Sequence, residues 1–386
     1  MSKLEQLIAE LCPDGVEFTT LGDIGDVCMC KRIFKEQTEA VGDVPFYKIG
    51  TFGKKPDAFI TKALFDEYKE KYSFPKAGDI LISASGTIGR TVIYNGEPAY
   101  FQDSNIVWID NDESKLLNSF LYYLYALHPW AVSTGGTIAR LYNDNIRKTI
   151  IPLPPLPVQQ EIVRILDNFT ELTAELTAEL TAELTARRKQ YEYYRDLLLT
   201  FGDEVEWRML GEVATNLDFK RKPVTKGKRK AGEYPYYGAS GIVDYVDDYI
   251  FDGDYLLVSE DGANLVARVT PIAFSASGKI WVNNHAHVLE FKTYTDRKFI
   301  EYYLNMIDLS RFISAAAQPK LTQDNLNKIP VPAPSIEEKE RIVAILDRFD
   351  ALCNDLTSGL PAEIEARQKQ YEYYRDKLLT FKEVTA

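Results

Sequence analysis

Few residues of this chain have the types and spacing that chemistry requires. Asp57 follows a proline and precedes Glu67 and Lys69, an order of residue types used by metal-dependent nucleases, where two carboxylates hold Mg²⁺ and a lysine positions the attacking water. The pattern is short and needs adjacent strands, whereas residues 63–72 predict a helix with ion pairs between positions i and i+4. The sequence therefore favours an ordinary surface helix over a nuclease site.

Metal-binding and phosphate-binding patterns are equally weak. Cys28 and Cys30 form one pair of conceivable zinc ligands and His285 and His287 another, but each pair lacks the usual spacing of about two to four residues. Gly50–Lys54 lacks the spacing and the hydroxyl residue of a nucleotide-binding P-loop. We therefore predict no catalytic residue, no metal site and no cofactor site in this chain.

Positive charge is concentrated in one stretch of the sequence. Residues 220–230 carry seven cationic side chains and no acidic one, although the whole chain has a formal net charge of −12. Such a cluster can neutralise DNA phosphates, and a solvated surface loop is the plainer alternative. The candidate DNA contacts in this stretch are Lys220, Arg221, Lys222, Lys226, Lys228, Arg229 and Lys230.

Further candidate DNA contacts occupy similar positions in the two halves of the chain. Arg90 and Arg268 each follow a glycine-containing loop after a strand-like run, and Arg140 and Lys320 each follow a run of small residues. Small residues let a backbone approach phosphate closely, although an ordinary loop role is the alternative at each position. Polar side chains nearby that could read base edges are Gln102, Asn105, Asn283, Asn284 and Gln318.

The elements that must position these residues occur twice. Residues 189–196 read Lys-Gln-Tyr-Glu-Tyr-Tyr-Arg-Asp, and residues 369–376 repeat them without a change at an offset of 180. The same offset relates residues 162–169 to residues 342–349, as well as a proline-rich segment before each of them. Two repeats of this length argue against a solenoid of short units and for a molecule with two similar halves.

Each half begins with a mixed α/β segment. Runs of β-branched and aromatic residues alternate there with Gly, Asp and Asn, which is typical of strands, and apolar residues at helical spacing follow them. Matching strands are predicted at 78–83 and 253–259 and at 107–109 and 288–291, and matching helices at 115–132 and 297–314.

Each half ends in a long helix. Proline-rich segments at 152–157 and 330–334 stop the preceding elements, and residues 158–201 then contain neither Pro nor Gly. Three tandem copies of Thr-Ala-Glu-Leu occupy residues 173–184. The second helical segment has the same length but contains Pro361, which should kink or interrupt it. Their apolar rows predict that the two segments pack on each other as a coiled coil, which is antiparallel if a two-fold axis relates the two halves.

Composition limits where such a protein functions. The 386-residue chain has no apolar run long enough to span a bilayer, and it has acidic residues near the N-terminus where a signal peptide is apolar. Its four cysteines have no framework spacing, which is typical of a reducing compartment. We therefore expect a soluble cytoplasmic protein without disulfides and without a membrane partner.

The repeated Ile-Leu-Asp-x-Phe and Lys-Gln-Tyr-Glu-Tyr-Tyr-Arg-Asp motifs, the Thr-Ala-Glu-Leu tandem and the proline-rich exits together resemble the specificity subunit of type I restriction–modification enzymes. The resemblance covers essentially the whole chain. It implies two α/β (α+β) recognition domains joined by two long helices packed as an antiparallel coiled coil, in a pseudo-two-fold internal duplication. The implied boundaries are 1–151 and 205–331 for the recognition domains and 152–204 and 332–386 for the helical spacer regions.

The same resemblance implies a division of labour with other proteins. In that family each recognition domain reads one half of a split double-stranded DNA site, and the helices set the gap and dock two methyltransferase subunits. Those subunits bind S-adenosylmethionine and methylate adenine, and motor-nuclease subunits join them for cleavage. Relatives vary the number of tetrapeptides together with the gap. A stand-alone or architectural DNA-binding protein that dimerises through its coiled coil is the alternative.

Overall fold

A computed structural model describes residues 2–132, 140–314, 319–355 and 357–384. The chain divides into two compact units, each with one α/β domain and part of both helical regions. Unit 1 comprises Met1–Ala178 with Glu365–Ala386, and unit 2 comprises Glu179–Ile364. The division runs through the helices, so the four domain boundaries derived from the sequence remain a prediction.

The first α/β domain and the helix that follows it contain nine strands and six α-helices in the described residues. The strands are β1 (Phe18–Thr20), β2 (Gly25–Cys28), β3 (Val44–Tyr47), β4 (Phe59–Ile60), β5 (Ile80–Ser83), β6 (Thr91–Ile93), β7 (Tyr100–Phe101), β8 (Ile106–Asn111) and β9 (Ile150–Pro152). The helices are α1 (Lys3–Leu11), α2 (Leu21–Ile24), α3 (Lys62–Lys71), α4 (Asn118–Tyr125), α5 (Asn143–Arg147) and α6 (Leu156–Leu199).

The first domain is built on a four-stranded sheet in the order β2-β8-β5-β6. Both faces of its strand β5 are buried. Ile80 and Ile82 face a core shared with α4 and the start of α6, whereas Leu81 faces a second core under the sheet β4-β3-β7. Alternate side chains of a strand point to opposite faces, so one short apolar run serves both cores.

The rest of the chain contains the second α/β domain and the second helical region. Its strands are β10 (Trp207–Met209), β11 (Thr215–Asn216), β12 (Ala231–Gly238), β13 (Gly241–Val246), β14 (Phe251–Ser259), β15 (Ala273–Val282), β16 (Ala286–Glu290), β17 (Ile313–Ser314), β18 (Lys320–Leu321) and β19 (Pro330–Pro332). Its helices are α7 (Leu210–Val213), α8 (Asn264–Ala267), α9 (Tyr294–Met306), α10 (Gln323–Asn327), α11 (Ile336–Asn354) and α12 (Leu360–Leu378).

The second domain is built on a six-stranded sheet in the order β11-β16-β14-β15-β12-β13. Leu256 and Val258 of β14 face a core shared with α9 and α11, and Tyr255 and Leu257 face the opposite core. The central strands predicted at 78–83 and 253–259 are therefore confirmed as β5 and β14. Those predicted at 107–109 and 288–291 are confirmed in β8 and β16.

Each domain is closed by a strand pair that the sequence did not reveal. Phe18 of β1 pairs with Pro152 of β9, and Trp207 of β10 pairs in the same way with Pro332 of β19. Proline cannot donate a ladder hydrogen bond, so these two-stranded pairs suit it at a strand end. The proline-rich exits thus end in short strands that return to the start of their own domain.

The long helix α6 runs without interruption for 44 residues, which corresponds to about 65 Å. The predicted interruption of the second helical region is confirmed, because α11 ends at Asn354 and α12 begins at Leu360. Pro361 lies in the first turn of α12, where the missing N–H costs little.

Two other helix predictions were too long. The helix predicted at 115–132 ends at Tyr125, shortly before Pro129, and the helix predicted at 297–314 ends at Met306. Residue 128 has φ of 50°, a left-handed conformation that no continuing helix allows. Helix α3, by contrast, matches the prediction for residues 63–72, with ion pairs Lys62–Asp66 and Lys71–Glu67 at i,i+4 spacing.

In each unit the Ile-Leu-Asp-x-Phe motif joins a long helix to the domain. Leu166 and Leu346 are fully buried, and burial of one leucine side chain contributes about 1.5–3 kcal/mol. One residue later, Asp167 accepts a hydrogen bond of 2.6 Å from Tyr123 Oη, and Asp347 accepts one of 2.6 Å from Tyr302 Oη. The motif therefore anchors each helix by an apolar contact and a tyrosine–carboxylate bond.

Within each unit the helices also pack against each other in antiparallel fashion. In unit 1 the rings of Phe169 and Tyr374 lie 6.1 Å apart, and the hydroxyls of Thr170 and Tyr371 lie 3.0 Å apart. In unit 2 the Tyr194 and Phe349 rings are stacked at 5.8 Å. The predicted coiled-coil contacts are present in both units.

Candidate nucleic-acid interface

The basic stretch 220–230 begins at the 3₁₀ turn Asp218–Lys220, contains a second 3₁₀ turn, Lys226–Lys228, and leads into β12 of the second domain. Its seven cationic residues fall into two groups. The five lysines, Lys220, Lys222, Lys226, Lys228 and Lys230, are exposed. The two arginines have partners within the domain, so the charge that the stretch presents to solvent comes from lysine.

Arg229 supports the fold of this stretch. Its guanidinium lies 3.0 Å from Asp244, donates a hydrogen bond of 3.0 Å to Val224 O, and stacks 4.3 Å from the ring centre of Tyr236. The hydrogen bond from Arg229 lowers the pKa of Asp244 below its usual range. Arg229 thereby ties the basic loop to the hairpin β12–β13.

Arg221 belongs to a largely buried network of charged groups. It donates hydrogen bonds of 2.5 Å to Glu260 and 2.9 Å to Ala286 O, and it lies 3.2 Å from Asp218. The ammonium of Lys320 lies 3.0 Å from the other oxygen of Glu260. Two of the cations predicted to contact DNA thus meet at one buried carboxylate.

His287 completes this network. Its Nδ1 lies 2.5 Å from Asp218 Oδ2 and its Nε2 lies 2.8 Å from Leu321 O. A carbonyl only accepts hydrogen bonds and an ionised carboxylate does the same, so both contacts are satisfied when both ring nitrogens carry a proton. His287 is fully buried.

Asp218, Glu260 and His287 are the one group of candidate metal ligands that come close enough together in the part of the chain that the structure describes. Arg221 and Lys320 already neutralise the two carboxylates, and both imidazole nitrogens have hydrogen-bond partners. A divalent cation would have to displace these partners. The arrangement is therefore an ion-pair network.

The two carboxylates should make the second domain sensitive to acid. Burial raises the pKa of Asp218 and Glu260, but hydrogen bonds from His287 and Arg221 respectively, with the nearby positive charges, outweigh it and lower both pKa values. A lowered folded-state pKa stabilises the fold above the unfolded-state values of about 3.9 and 4.3, and that stability is lost as the pH falls further.

We therefore expect β14 and β16 to lose hydrogen-exchange protection steeply as the pH falls below about 4.3. Glu260→Gln should lower protection at neutral pH and flatten this acid dependence, because the amide has no charge to lose. Parallel pH profiles for the two proteins would show that Glu260 does not contribute to acid sensitivity.

In the first domain the side chains predicted to contact DNA form hydrogen bonds with backbone groups. Arg140 donates a hydrogen bond of 2.8 Å to Ser104 O and lies 5.9 Å from the Tyr142 ring centre. Arg90 donates one of 2.9 Å to Phe52 O. Gln102 accepts one of 2.9 Å from the backbone of Ile49. Arg140, Ser104 and Tyr142 line a single open cavity of about 390 Å³.

Arg268 is held by backbone carbonyls of its own domain. It donates hydrogen bonds of 3.2, 3.2 and 3.0 Å to the carbonyls of Leu265, Leu304 and Ile307. Burial lowers the pKa of its guanidinium. These bonds cap the ends of α8 and α9, so Arg268 has a structural role here, and its contact with DNA stays a prediction.

Two surface features were missed in the sequence. Phe219 is 79% exposed between the buried Asp218 and the lysines, and Arg32 forms an ion pair of 2.9 Å with Asp103. The sequence contained a signal for Arg32, because a Lys-Arg pair occurs shortly after a corresponding strand in each domain. Lys31-Arg32 follows β2, which pairs with β8, and Lys220-Arg221 follows β11, which pairs with β16. The small-residue runs 133–139 and 315–318, including Gln318, lie outside the described residues.

The helices of each unit leave an apolar patch uncovered. In unit 1 the patch contains Leu172, Tyr373 and Tyr374, which are 52%, 61% and 42% exposed. The residues at the same repeat positions in unit 2 are Leu352, Tyr193 and Tyr194, which are 37%, 64% and 37% exposed. Repeated apolar patches of this kind are typical of protein interfaces.

In the described part of the chain, no helix combines the length and apolar character needed to cross a bilayer.

Comparison with known proteins agrees with this architecture. A family model for the type I restriction modification DNA specificity domain matches residues 13–186 and again residues 202–366. The EcoprrI type I specificity subunit of Escherichia coli is 34% identical over 343 residues, which is 84% of each chain. The chain therefore belongs to the family of type I restriction–modification specificity subunits. The prediction that it is a specificity component without catalytic activity is confirmed by this membership.

A closer but shorter likeness exists to a Haemophilus influenzae protein named as a type I restriction enzyme specificity subunit, which is 63% identical over 181 residues. This match spans about half of each chain, 47% in both cases.

Two solved structures share the fold. One, of a type I R-M system, has a TM-score of 0.66 at 15% identity and covers 95% of this chain and 98% of its own. The other, the HsdS subunit of Thermoanaerobacter tengcongensis, has a TM-score of 0.52 at 17% identity and covers 96% and 97%. The predicted fold class, two α/β recognition domains with long helices in an internal duplication, is confirmed.

Proposed function

We propose that the chain recognises a bipartite DNA sequence, with one half read by each α/β domain, and directs adenine methylation to it. The observation that carries this proposal is that the two domains share equivalent backbone hydrogen bonds but surround them with different side chains. Leu141 N donates to Ala84 O in the first domain, and Leu321 N donates to Glu260 O in the second. Each of these leucines follows a cation, Arg140 or Lys320.

The neighbours of these two cations differ. Arg140 has Ser104, Tyr142 and an open cavity beside it, whereas Lys320 is joined to the charged network around Glu260. Phosphate contacts position a protein on DNA, and the side chains at base edges decide the sequence. Because the two domains share a backbone arrangement but differ in the side chains beside it, we expect them to read two different half-sites.

We propose that the two helical patches dock two methyltransferase subunits. Leu172, Tyr373 and Tyr374 in unit 1 and their repeat partners in unit 2 offer the same residue types twice, which suits two copies of one partner. Exposed tyrosines are common anchors in protein interfaces. The charge of the surrounding helix is largely acidic at the tetrapeptide repeats, which favours protein contact there over DNA contact.

Further parts of the proposal concern the partners. S-adenosylmethionine would be bound by the methyltransferase subunits, and motor-nuclease subunits would join them for DNA cleavage. The assembly would work on chromosomal DNA in the cytoplasm.

Methylation mapping tests this proposal. Genomic adenine methylation is compared with and without the gene, in cells that carry the matching methyltransferase. We expect one bipartite motif with two unlike half-sites and a fixed gap to disappear when the gene is removed. An unchanged methylation pattern would contradict the proposal. Tight sequence-specific binding by the purified chain alone, with no methyltransferase dependence, would support the stand-alone DNA-binding alternative.

A further inference from the structure

We propose that Glu260, together with Asp218 and His287, is a positioning device that sets the sequence discrimination of the second recognition domain. The inference rests on the proposed bipartite recognition. These three residues are buried, and in this proposal they act through the segments that carry candidate DNA contacts.

The network joins segments that are far apart in the sequence. Asp218 opens the 3₁₀ turn that bears Phe219 and Lys220, and it accepts hydrogen bonds from His287 and from Val288 N, the latter of 2.9 Å. Glu260 directly follows β14 and binds Arg221 and Lys320. The basic stretch and strand β18 are thus tied to one another through the sheet.

Backbone contacts reinforce the same connection. Leu321 N donates a hydrogen bond of 2.7 Å to Glu260 O, and Gly262 N donates one of 3.2 Å to Pro319 O. His287 Nε2 contacts Leu321 O from the other side at 2.8 Å. The start of β18 is therefore held by a main-chain ladder and by the side-chain network at once.

Burial makes the network sensitive to the loss of one member. Asp218, Glu260 and His287 are each at least nine-tenths buried, and Arg221 retains 12% of its side-chain exposure. Removing the charge of Glu260 leaves Arg221 with Asp218 alone and takes this ion pair from Lys320, so both cations must rearrange or draw water in. Movement of Arg221 or Lys320 would shift the segments that carry them.

The first domain provides an internal comparison, because the same positions there are apolar. Val107 pairs with Ile82 in the sheet as His287 pairs with Val258. Ala84 receives the Leu141 hydrogen bond that Glu260 receives from Leu321. The sheet does not need charges at these positions to form, so the charges of the second domain serve something particular to it.

The test uses the assembled methyltransferase complex and a DNA library randomised one base at a time across both half-sites. The half-site of the second domain is assigned beforehand by exchanging residues 205–331 for those of a relative. Glu260→Gln keeps the shape and removes the charge. The control is Asp254→Asn, which removes an exposed carboxylate of the same strand, β14, that lies 3.4 Å from Arg297 of α9.

We expect Glu260→Gln to reduce discrimination against single mismatches by about tenfold at the second half-site, within the range that one base pair usually contributes, and to leave the first half-site unchanged. Asp254→Asn should change neither. Unchanged discrimination in an assembled Glu260→Gln complex would overturn the inference, and so would an equal loss at both half-sites, which indicates general destabilisation.

If Glu260→Gln does not assemble, Glu260→Asp decides, because it keeps the charge and draws it back by one methylene group. Loss confined to the second half-site supports positioning, and intact discrimination contradicts it. The wild-type complex separates this inference from the proposed function. If the wild-type complex methylates no bipartite site, the proposed function is wrong. If it methylates a bipartite site but the Glu260 variants keep full mismatch discrimination, only the present inference is wrong.

Discussion

Deletion of one tetrapeptide, residues 177–180, is expected to move methylation to sites whose gap is shorter by one or two base pairs and to abolish it at the original gap. Four residues of α-helix account for about 6 Å, and one base pair rises about 3.4 Å. The two half-sites should stay the same, because the deletion leaves both α/β domains intact.

The structure indicates that α6 can tolerate this deletion. No residue between Asp167 and Leu198 is fully buried, so removing one copy takes no side chain from either domain core. The second helical region is already interrupted between Asn354 and Leu360, and a turn can change length more easily than a continuous helix can.

The readout is a methylome of cells that express the deletion variant. Insertion of one further copy should lengthen the gap by the same amount, and Glu179→Ala, which alters the same copy at constant length, should leave the gap unchanged. Altered half-sites at an unchanged gap would refute the role of the helix as a spacer.

Replacement of the five exposed lysines, Lys220, Lys222, Lys226, Lys228 and Lys230, by glutamine should weaken DNA binding regardless of sequence. Each lysine that neutralises a phosphate contributes about 0.9 to the slope of log affinity against log salt concentration. The slope should therefore fall by up to that amount for each phosphate that is no longer neutralised. The slope is measured from the affinity of the assembled complex for a specific and for an unrelated duplex at several salt concentrations.

Arg229 provides the contrast within the same stretch. Because it is bound to Asp244, Val224 and Tyr236, Arg229→Gln should lower the stability of the second domain and change the salt slope little. An unaltered slope in the lysine variant would assign the stretch to an ordinary surface loop. A large slope change in Arg229→Gln would show that this arginine leaves its partners to contact phosphate.

Secondary structure that depends on a short stretch of sequence could be predicted from that stretch. Residues 78–83 and 253–259 showed strand composition, and each became a strand buried on both faces. Pro361 marked the interruption of the second helical region. Helix ends were less predictable: the apolar spacing at 115–132 continued beyond the point where Pro129 and the left-handed residue 128 stop the helix.

The candidate contacts show where prediction from residue type ends. Arg221 and Lys222 are neighbours in one basic stretch, yet the first is largely enclosed and paired with Asp218 and Glu260 while the second is exposed. The position of Arg268 predicted a phosphate contact, which stays a prediction, and the folded chain adds that its guanidinium caps two helices. For both arginines one acceptor lies far away in the chain, Glu260 for Arg221 and Leu304 for Arg268, so composition could not reveal these bonds.

The duplication and the long uninterrupted helix could be inferred from residue order, because repeats and apolar periods can be read directly along the chain. The family was indicated by the resemblance of these motifs to those of type I specificity subunits. Only the folded chain shows which cations are paired within the domain and which are exposed to solvent. The interaction of Asp218, Glu260, His287 and Lys320 depends on distances of a few ångströms across a sheet, and such distances exist only once the strands have paired.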